Sequence, residues 1–363
     1  MTSAVPLAAS SGFDGAVSAF YERTKRQVDS DGIGGIAMGV VAGGRLRWKG
    51  ACGYADSESR RPMEADQICR IGSITKSFTA VLLMDLLDKR IVSLEDPVHR
   101  YVPEIMNLAG RTEWKRDMTL RDLACHTGGI PRMPNLPGAR SGPDRNWAEK
   151  VIQSIAATPI QRMPGEKYEY SNIGYSIVGL CLQRAARRDY FDMQRETVLT
   201  PLGMKDTGYG FGLTPEQWKR VATGYDNERG GRPDTETPRL EHKGRGFPVP
   251  AGSLYSTVED MARHLLMLSG ATVNVLSPSG RELMESPQAD TGKGAYGFAL
   301  SIRKTREGMT IIGHSGAISG YTSYIAFDRR SRAGVVMLRN YNSGSTVFER
   351  DAALALHELS TCL

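Results

Sequence analysis

No two of the five cysteines form a Cys-x-x-Cys pair, and their number is odd. That spacing argues against a structural zinc site. Cys52, Cys69, Cys125, Cys181 and Cys362 sit mostly among apolar neighbours, as in Leu180-Cys181-Leu182, and read as buried free thiols. Cys125-His126 is the one pair that suggests a thiol nucleophile, but adjacent residues rarely face each other. No run of about 18 apolar residues exists, so no transmembrane helix is expected. Residues 1–11 lack the basic start and longer apolar stretch of a secretory signal. The compartment stays open between cytoplasmic and, if a leader has been removed, periplasmic or secreted. The net charge of +6 is mild for 363 residues, and no stripe pairs basic residues with aromatics, so nucleic acid is not an expected partner. There is no Gly-x-Ser-x-Gly elbow, which disfavours an α/β-hydrolase. No internal repeat or low-complexity segment is visible.

What is present is an ordinary globular composition, 40% hydrophobic and 24% charged, with 40 glycines and 18 prolines that imply many turns. The length suits one large domain or two intimate ones. Residues 13–30 have a helical apolar face of Phe13, Val17, Phe20 and Tyr21. Two extended runs around Ala42-Gly43-Gly44 predict a β-hairpin. From the helix that begins near Ser73 to about residue 290 the texture is helical with long loops, 128–144 and 221–250 among them. Thr119 caps a short helix, and Ser256-Thr257-Val258-Glu259 predicts a capping box opening a helix through Leu268. Strand-like runs return at 296–303, 309–313, 320–328 and 334–340, followed by a terminal helix at 346–359. The economical fold class is α+β: an antiparallel sheet built from both chain termini and flanked by helices, with a large mainly helical insertion. Residues 12–72 with 291–363 would form the sheet domain and 73–290 the helical one, with the site in the cleft between them.

Three segments carry candidate chemistry. In Ser73-Ile74-Thr75-Lys76, Ser73 is a good N-cap type, and a helix puts Ser73 and Lys76 on one face. The helix N-terminus and nearby protein charge can lower the lysine pKa, so that a neutral amine takes the serine proton. Taken alone, the pattern is far more often a capped helix with a solvated lysine, since it is short and its residues are common. In Tyr170-Ser171-Asn172, the phenol can relay protons if the lysine lowers its pKa, and Asn172 can hold the lysine and a substrate carbonyl; by themselves these are a half-buried aromatic and a helix cap. In Gly313-His314-Ser315-Gly316-Ala317, small residues let a substrate lie along a strand edge. There the Ala317 N–H, with that of Ser73, can face an oxyanion, while His314 can donate to substrate or steer a carboxylate. The bland readings are a surface histidine and a glycine bulge.

In that order the three segments resemble the motifs of the β-lactamase-related serine hydrolases, which include DD-peptidases, class C β-lactamases, D-aminopeptidases and family VIII carboxylesterases. Supporting matches are Leu94-Glu95-Asp96-Pro97-Val98, Leu123-Ala124-Cys125-His126-Thr127-Gly128-Gly129-Ile130-Pro131, Ala251-Gly252-Ser253-Leu254-Tyr255-Ser256-Thr257 and Gly334-Val335-Val336-Met337-Leu338. The similarity covers roughly residues 15–360. It implies a β-lactamase/transpeptidase-like fold, with Ser73 as nucleophile, Lys76 as its base, Tyr170 as proton shuttle, and Asn172, His314, Ser315, Gly316 and Ala317 around the substrate. His314 stands where β-lactamases usually have lysine, which moves the expectation away from a dedicated β-lactamase. The implied activity is ester or amide hydrolysis through an acyl-enzyme on Ser73, of carboxylesterase or D-amino-acid peptidase type. The alternatives are a DD-carboxypeptidase, penicillin-binding protein or β-lactamase, an acyltransferase, or a silent binding relative. The expected partner is a small ester, peptide or β-lactam. Neither metal nor organic cofactor is called for, and oligomeric state is not readable.

Overall fold

The first and last strands of the chain meet at the middle of one sheet. In the computed structural model, which describes residues 12–110, 116–229, 232–272 and 275–362, thirteen strands are present among those residues. They are β1 (Gly35–Ala42), β2 (Arg45–Asp56), β3 (Arg61–Pro62), β4 (Cys69–Arg70), β5 (Asp226–Arg229), β6 (Arg232–Asp234), β7 (Tyr255–Ser256), β8 (Ala289–Asp290), β9 (Ala295–Tyr296), β10 (Ser301–Lys304), β11 (Thr310–Ile318), β12 (Tyr321–Asp328) and β13 (Gly334–Arg339). Nine of them form an antiparallel sheet in the order β3-β2-β1-β13-β12-β11-β10-β9-β8. Its central seam runs from Ile36↔Arg339 to Val41↔Gly334 and joins the N-terminal hairpin to the C-terminal meander. The hairpin turns at Gly43 and Gly44, both at positive φ, as a tight two-residue turn requires.

Both faces of this seam are covered. On one, the helices Phe13–Asp31 and Phe348–Ser360 bring Phe20, Val28 and Leu356 against Ile36, Met38, Val335 and Met337. On the other, the helix Val258–Leu268 brings Met261 and Leu265 toward the cluster holding Val41, Val336 and Leu338. Every residue of β1 and β13 is therefore buried, without the alternation of an antiparallel sheet wetted on one side. The helices Thr75–Asp88 and Asn172–Ala186 lie within the larger cluster. Among the described residues no helix is long and apolar enough to cross a membrane.

Several local expectations need correction. Residues 221–250 are not one loop: they contain the β5–β6 hairpin, the helix Glu236–Glu241 and the start of a short helix, Val249–Gly252. Polar content concealed these elements, which are held by tertiary contacts such as Tyr225 N to Asn340 O at 2.9 Å. The cap of the Val258–Leu268 helix is Thr257, whose side chain accepts from Asp260 N; Ser256 is the last residue of β7. The run 296–303 is split into β9 and β10 by a turn.

At the end of β13, buried Asn340 ties four segments together. Its Oδ1 accepts from Gly35 N at 2.6 Å. Its Nδ2 donates toward Tyr54 O and Ala55 O, each at 3.2 Å, and Thr223 O at 2.8 Å. Asn340→Ala removes the partner of these buried backbone groups. The expected loss of unfolding free energy is about 2–4 kcal/mol, read from denaturant midpoints; a change within about 0.5 kcal/mol would contradict this role.

Candidate active site

The Thr75–Asp88 helix is preceded by a 3₁₀ turn, Gly72–Ile74, that puts Ser73 one turn from Lys76. Ser73 does not cap the helix, contrary to its residue type: the turn runs straight into the helix, and no side-chain cap bond forms. Its hydroxyl is thereby left for Lys76, whose Nζ lies 3.1 Å from Ser73 Oγ. Lys76 is fully buried, and Nζ also contacts Asn172 Oδ1 at 2.8 Å and Ala251 O at 2.7 Å. Burial holds the Lys76 pKa well below its ordinary value, with the positive charges of Arg132 and Arg245 adding to the effect. The expectation had credited the helix end and nearby charge; loss of water is the larger cause. A neutral amine has two hydrogens and one lone pair. Asn172 Oδ1 and Ala251 O can only accept, so they take the hydrogens and leave the lone pair for the Ser73 hydroxyl.

Ala251 O is available because it lies in the last turn of the four-residue helix Val249–Gly252, whose carbonyls lack partners within the helix. Thr79 Oγ1 takes the neighbouring Pro250 O at 2.7 Å. Asn172 opens the helix Asn172–Ala186, and Ser171 caps it by accepting from Gly174 N, so the Asn172 amide stays free for the lysine.

Tyr170 stands half-buried beside this group, with the Lys76 amine 4.9 Å from its ring centre. The expectation that lysine lowers the phenol pKa is overturned. Burial pushes it up, and the Ser73 hydroxyl and the Arg132 charge oppose this only in part. A neutral lysine exerts no cationic field, so Tyr170 stays protonated and has a hydrogen to donate. His126, which sequence reasoning connected only with Cys125, holds Tyr170 from both sides. Its carbonyl accepts from Glu169 N at 2.6 Å, and its Nδ1 accepts from Ser171 N at 3.0 Å. Its ring centre lies 4.3 Å from that of Tyr170. His126 has φ of +62°, and burial pushes its pKa well down, so the ring is neutral with Nδ1 as acceptor. The Cys125 thiol is buried and pushed up, which removes it as a nucleophile.

The third segment lies inside β11 rather than at its end. Ser315 and Ala317 face the larger of two cavities. Gly316 lines neither; a Cβ there would come 2.1 Å from Ile71 O. A Cβ at Gly72, whose φ is +49°, would come 2.9 Å from Ala317 N. These two glycines let the Ser73 turn sit against the strand. β10 pairs with β11 only as far as Gly313, and Thr310 O accepts from Arg329 N on the β12 side. Alternation along the strand then turns the Ala317 N–H to the open edge, beside Ser73. His314 departs from expectation. It is buried, and its pKa is lowered to about 3 by burial and by Lys76. Its Nδ1 donates to Ser315 O at 2.6 Å, and its Nε2 accepts from Tyr296 OH at 3.1 Å. A neutral ring with both nitrogens engaged cannot steer a carboxylate by charge.

Two cavities, of about 300 and 160 Å³, meet at Ser73, Ala317 and Arg132. Tyr170 and His314 line the larger, Asn172 and Ala251 the smaller. Arg132 was not singled out from sequence, although it lies in the long loop expected at 128–144. The pattern of the Beta-lactamase family matches residues 20–359. The chain belongs to the beta-lactamase family. Among curated relatives of this family member, protein flp of Staphylococcus aureus (strain N315) is 25% identical over 314 residues, which are 86% of this chain and 60% of flp. The chain thus spans about 60% of the length of the curated relatives it matches first. Among solved structures, the octameric penicillin-binding protein homologue from Pyrococcus abyssi superposes with a TM-score of 0.76 at 26% identity, covering 95% of this chain and 77% of that one. D-amino acid amidase from Ochrobactrum anthropi SV3, complexed with L-phenylalanine amide, gives 0.77 at 24%, covering 95% and 99%. EstCE1, a hydrolase with promiscuous acyltransferase activity, gives 0.79 at 18%, covering 95% and 99%, a likeness of fold.

Two outcomes follow from this beta-lactamase-family site. In NMR titration of isotope-labelled lysines, the Lys76 amine should titrate below the other lysines, and Arg132→Met should move it upward by removing a cation. An unshifted Lys76 would contradict the burial argument. His126→Ala should lower turnover by about 10- to 100-fold through misplacement of Tyr170, as for other displaced catalytic groups. His126→Asn, which keeps a side-chain acceptor and tolerates positive φ, should recover part of it.

Proposed function

We propose that this chain is a serine acyl-hydrolase that cleaves ester or amide bonds through an acyl-enzyme on Ser73. The observation that carries this reading is the 3.1 Å approach of Lys76 Nζ to Ser73 Oγ, with the other two amine partners able only to accept. Ser73 Oγ attacks the substrate carbonyl carbon and its proton passes to Lys76. The carbonyl electrons move onto oxygen, facing the N–H groups of Ser73 and Ala317. As the tetrahedral intermediate collapses, the bond to the leaving group breaks. Tyr170 gives its proton to the departing atom and takes one from Lys76. Water then attacks the ester on Ser73, its proton returns through the same groups, and the acid is released. Lys76 is the base, Tyr170 the donor, and Asn172 holds the amine.

The reading gains support from two of the structural relatives, a D-amino acid amidase and a hydrolase with promiscuous acyltransferase activity. Short acyl esters and D-amino acid amides are the substrates to try first. A neutral His314 in the third motif fits these better than recognition of a carboxylate at that residue.

The test compares purified protein with Ser73→Ala and Tyr170→Phe on a p-nitrophenyl ester. Ser73→Ala should abolish turnover, and hydrolysis surviving at the parent rate would sink the reading. Tyr170→Phe should cost about 10²- to 10⁴-fold in kcat, the usual worth of a positioned donor. The reaction needs unprotonated Lys76, so kcat/KM rises as pH climbs through the Lys76 pKa. Burial holds that pKa well below the ordinary lysine value, so the plateau should be reached at lower pH than an ordinary lysine base would give. The raised Tyr170 pKa keeps the phenol protonated across that plateau.

A further inference from the structure

The two cavities at Ser73 differ in what they can receive. Tyr170 lines only the larger one, so the group that takes its proton, the leaving group, lies there. The acyl chain then extends into the smaller cavity, past Asn172. This assignment rests on the hydrolase reading above. The smaller cavity begins with apolar Met133 and Ile318 and carries Arg132, Arg140 and Arg245, with no carboxylate in its wall. Behind them, Glu241 is shared: its Oε2 lies 2.9 Å from Arg70 Nη1 and 3.0 Å from Arg245 Nε, and its Oε1 lies 3.4 Å from Arg140 Nη2. A further carboxyl, that of Asp144, accepts from Arg245 N at 2.9 Å. Arg132 makes no ion pair among the described residues and rests on the Tyr170 ring, 5.2 Å from its centre.

Four guanidinium groups, those of Arg70, Arg132, Arg140 and Arg245, therefore answer to two carboxyls. Arg245 is 7% exposed; its Nε lies against Glu241, and its Nη1 donates to Gly252 O at 3.3 Å. A buried guanidinium in the wall of a cavity with two further arginines, and with no carboxylate among the described lining residues, is a receptor for an anion in bidentate geometry. We propose that the acyl portion of the substrate ends in a carboxylate that docks among Arg132, Arg140 and Arg245, with the apolar spacer of the chain over Met133 and Ile318. The preferred substrates are then half-esters or half-amides of dicarboxylic acids, or acyl groups with an acidic side chain.

The test pairs two esters of equal spacer that differ in charge: p-nitrophenyl hydrogen adipate and p-nitrophenyl methyl adipate, each corrected with Ser73→Ala. For the unmodified protein the acid should exceed the methyl ester in kcat/KM by roughly tenfold or more, as complementary charge in a partly desolvated site provides. Arg140→Met, at a half-exposed position that the fold tolerates, should lower that ratio, and Arg132→Met with Arg140→Met should bring it near one. Arg245→Lys should lower it less than Arg245→Met. A ratio at or below one in the unmodified protein, or a ratio unmoved in the double variant, overturns the proposal while leaving the hydrolase reading intact. If neither ester shows Ser73-dependent turnover, the hydrolase reading fails and this one with it.

Discussion

The site depends on an amine removed from water. Lys76 lies wholly inside the protein with no carboxylate of the described residues against it, and two arginines nearby make its protonated form still less favourable. A neutral amine there is more than a consequence of burial. Asn172 Oδ1 and Ala251 O accept its two hydrogens and so determine where its lone pair points. In the proposed mechanism that direction is the Ser73 hydroxyl. The same dryness keeps Tyr170 protonated and His314 uncharged, so one physical condition sets the state of three neighbouring groups.

Holding this amine requires backbone from four distant parts of the chain to approach closely, and small residues permit it. Gly72 and Gly316 let the turn bearing Ser73 lie against β11, where any Cβ would meet backbone. The helix Val249–Gly252 is too short to satisfy its own carbonyls and presents them to Lys76 and Thr79. His126 accepts from the backbone on each side of Tyr170 and fixes where the phenol stands. These contacts are made by main-chain atoms or by absent side chains, which is why they leave so little trace in residue type.

The charge around the site differs in kind from the chemistry inside it. Ser73, Lys76 and Tyr170 match motifs that resemble a whole superfamily. Arg132, Arg140 and Arg245 come from the loops between those motifs and converge on one of two cavities. A net charge of +6 spread over 363 residues says nothing of this convergence. Folding concentrates the excess by sharing Glu241 among three arginines and leaving Arg132 over an aromatic ring.

The antiparallel sheet from both termini, the helical middle, and the order Ser73-x-x-Lys76, Tyr170-x-Asn172 and His314-x-Gly316 were legible in the residues, because each depends on spacing within one segment. The helix at 75–88 follows from 3.6-residue periodicity, and the 3₁₀ turn that runs into it brings Ser73 against Lys76. What sequence could not reach was set by burial and by partners far along the chain. It misplaced the cause of the lysine shift and reversed the direction of the tyrosine shift, since desolvation depends on what covers a group. It credited His314 with a free donor, although Tyr296 and Ser315 occupy both ring nitrogens. It could not foresee Ala251 O, whose role exists only because a four-residue helix ends beside Lys76. Local spacing determined which groups could react; the packing of distant segments decided their protonation, their direction and the charge of the space they face.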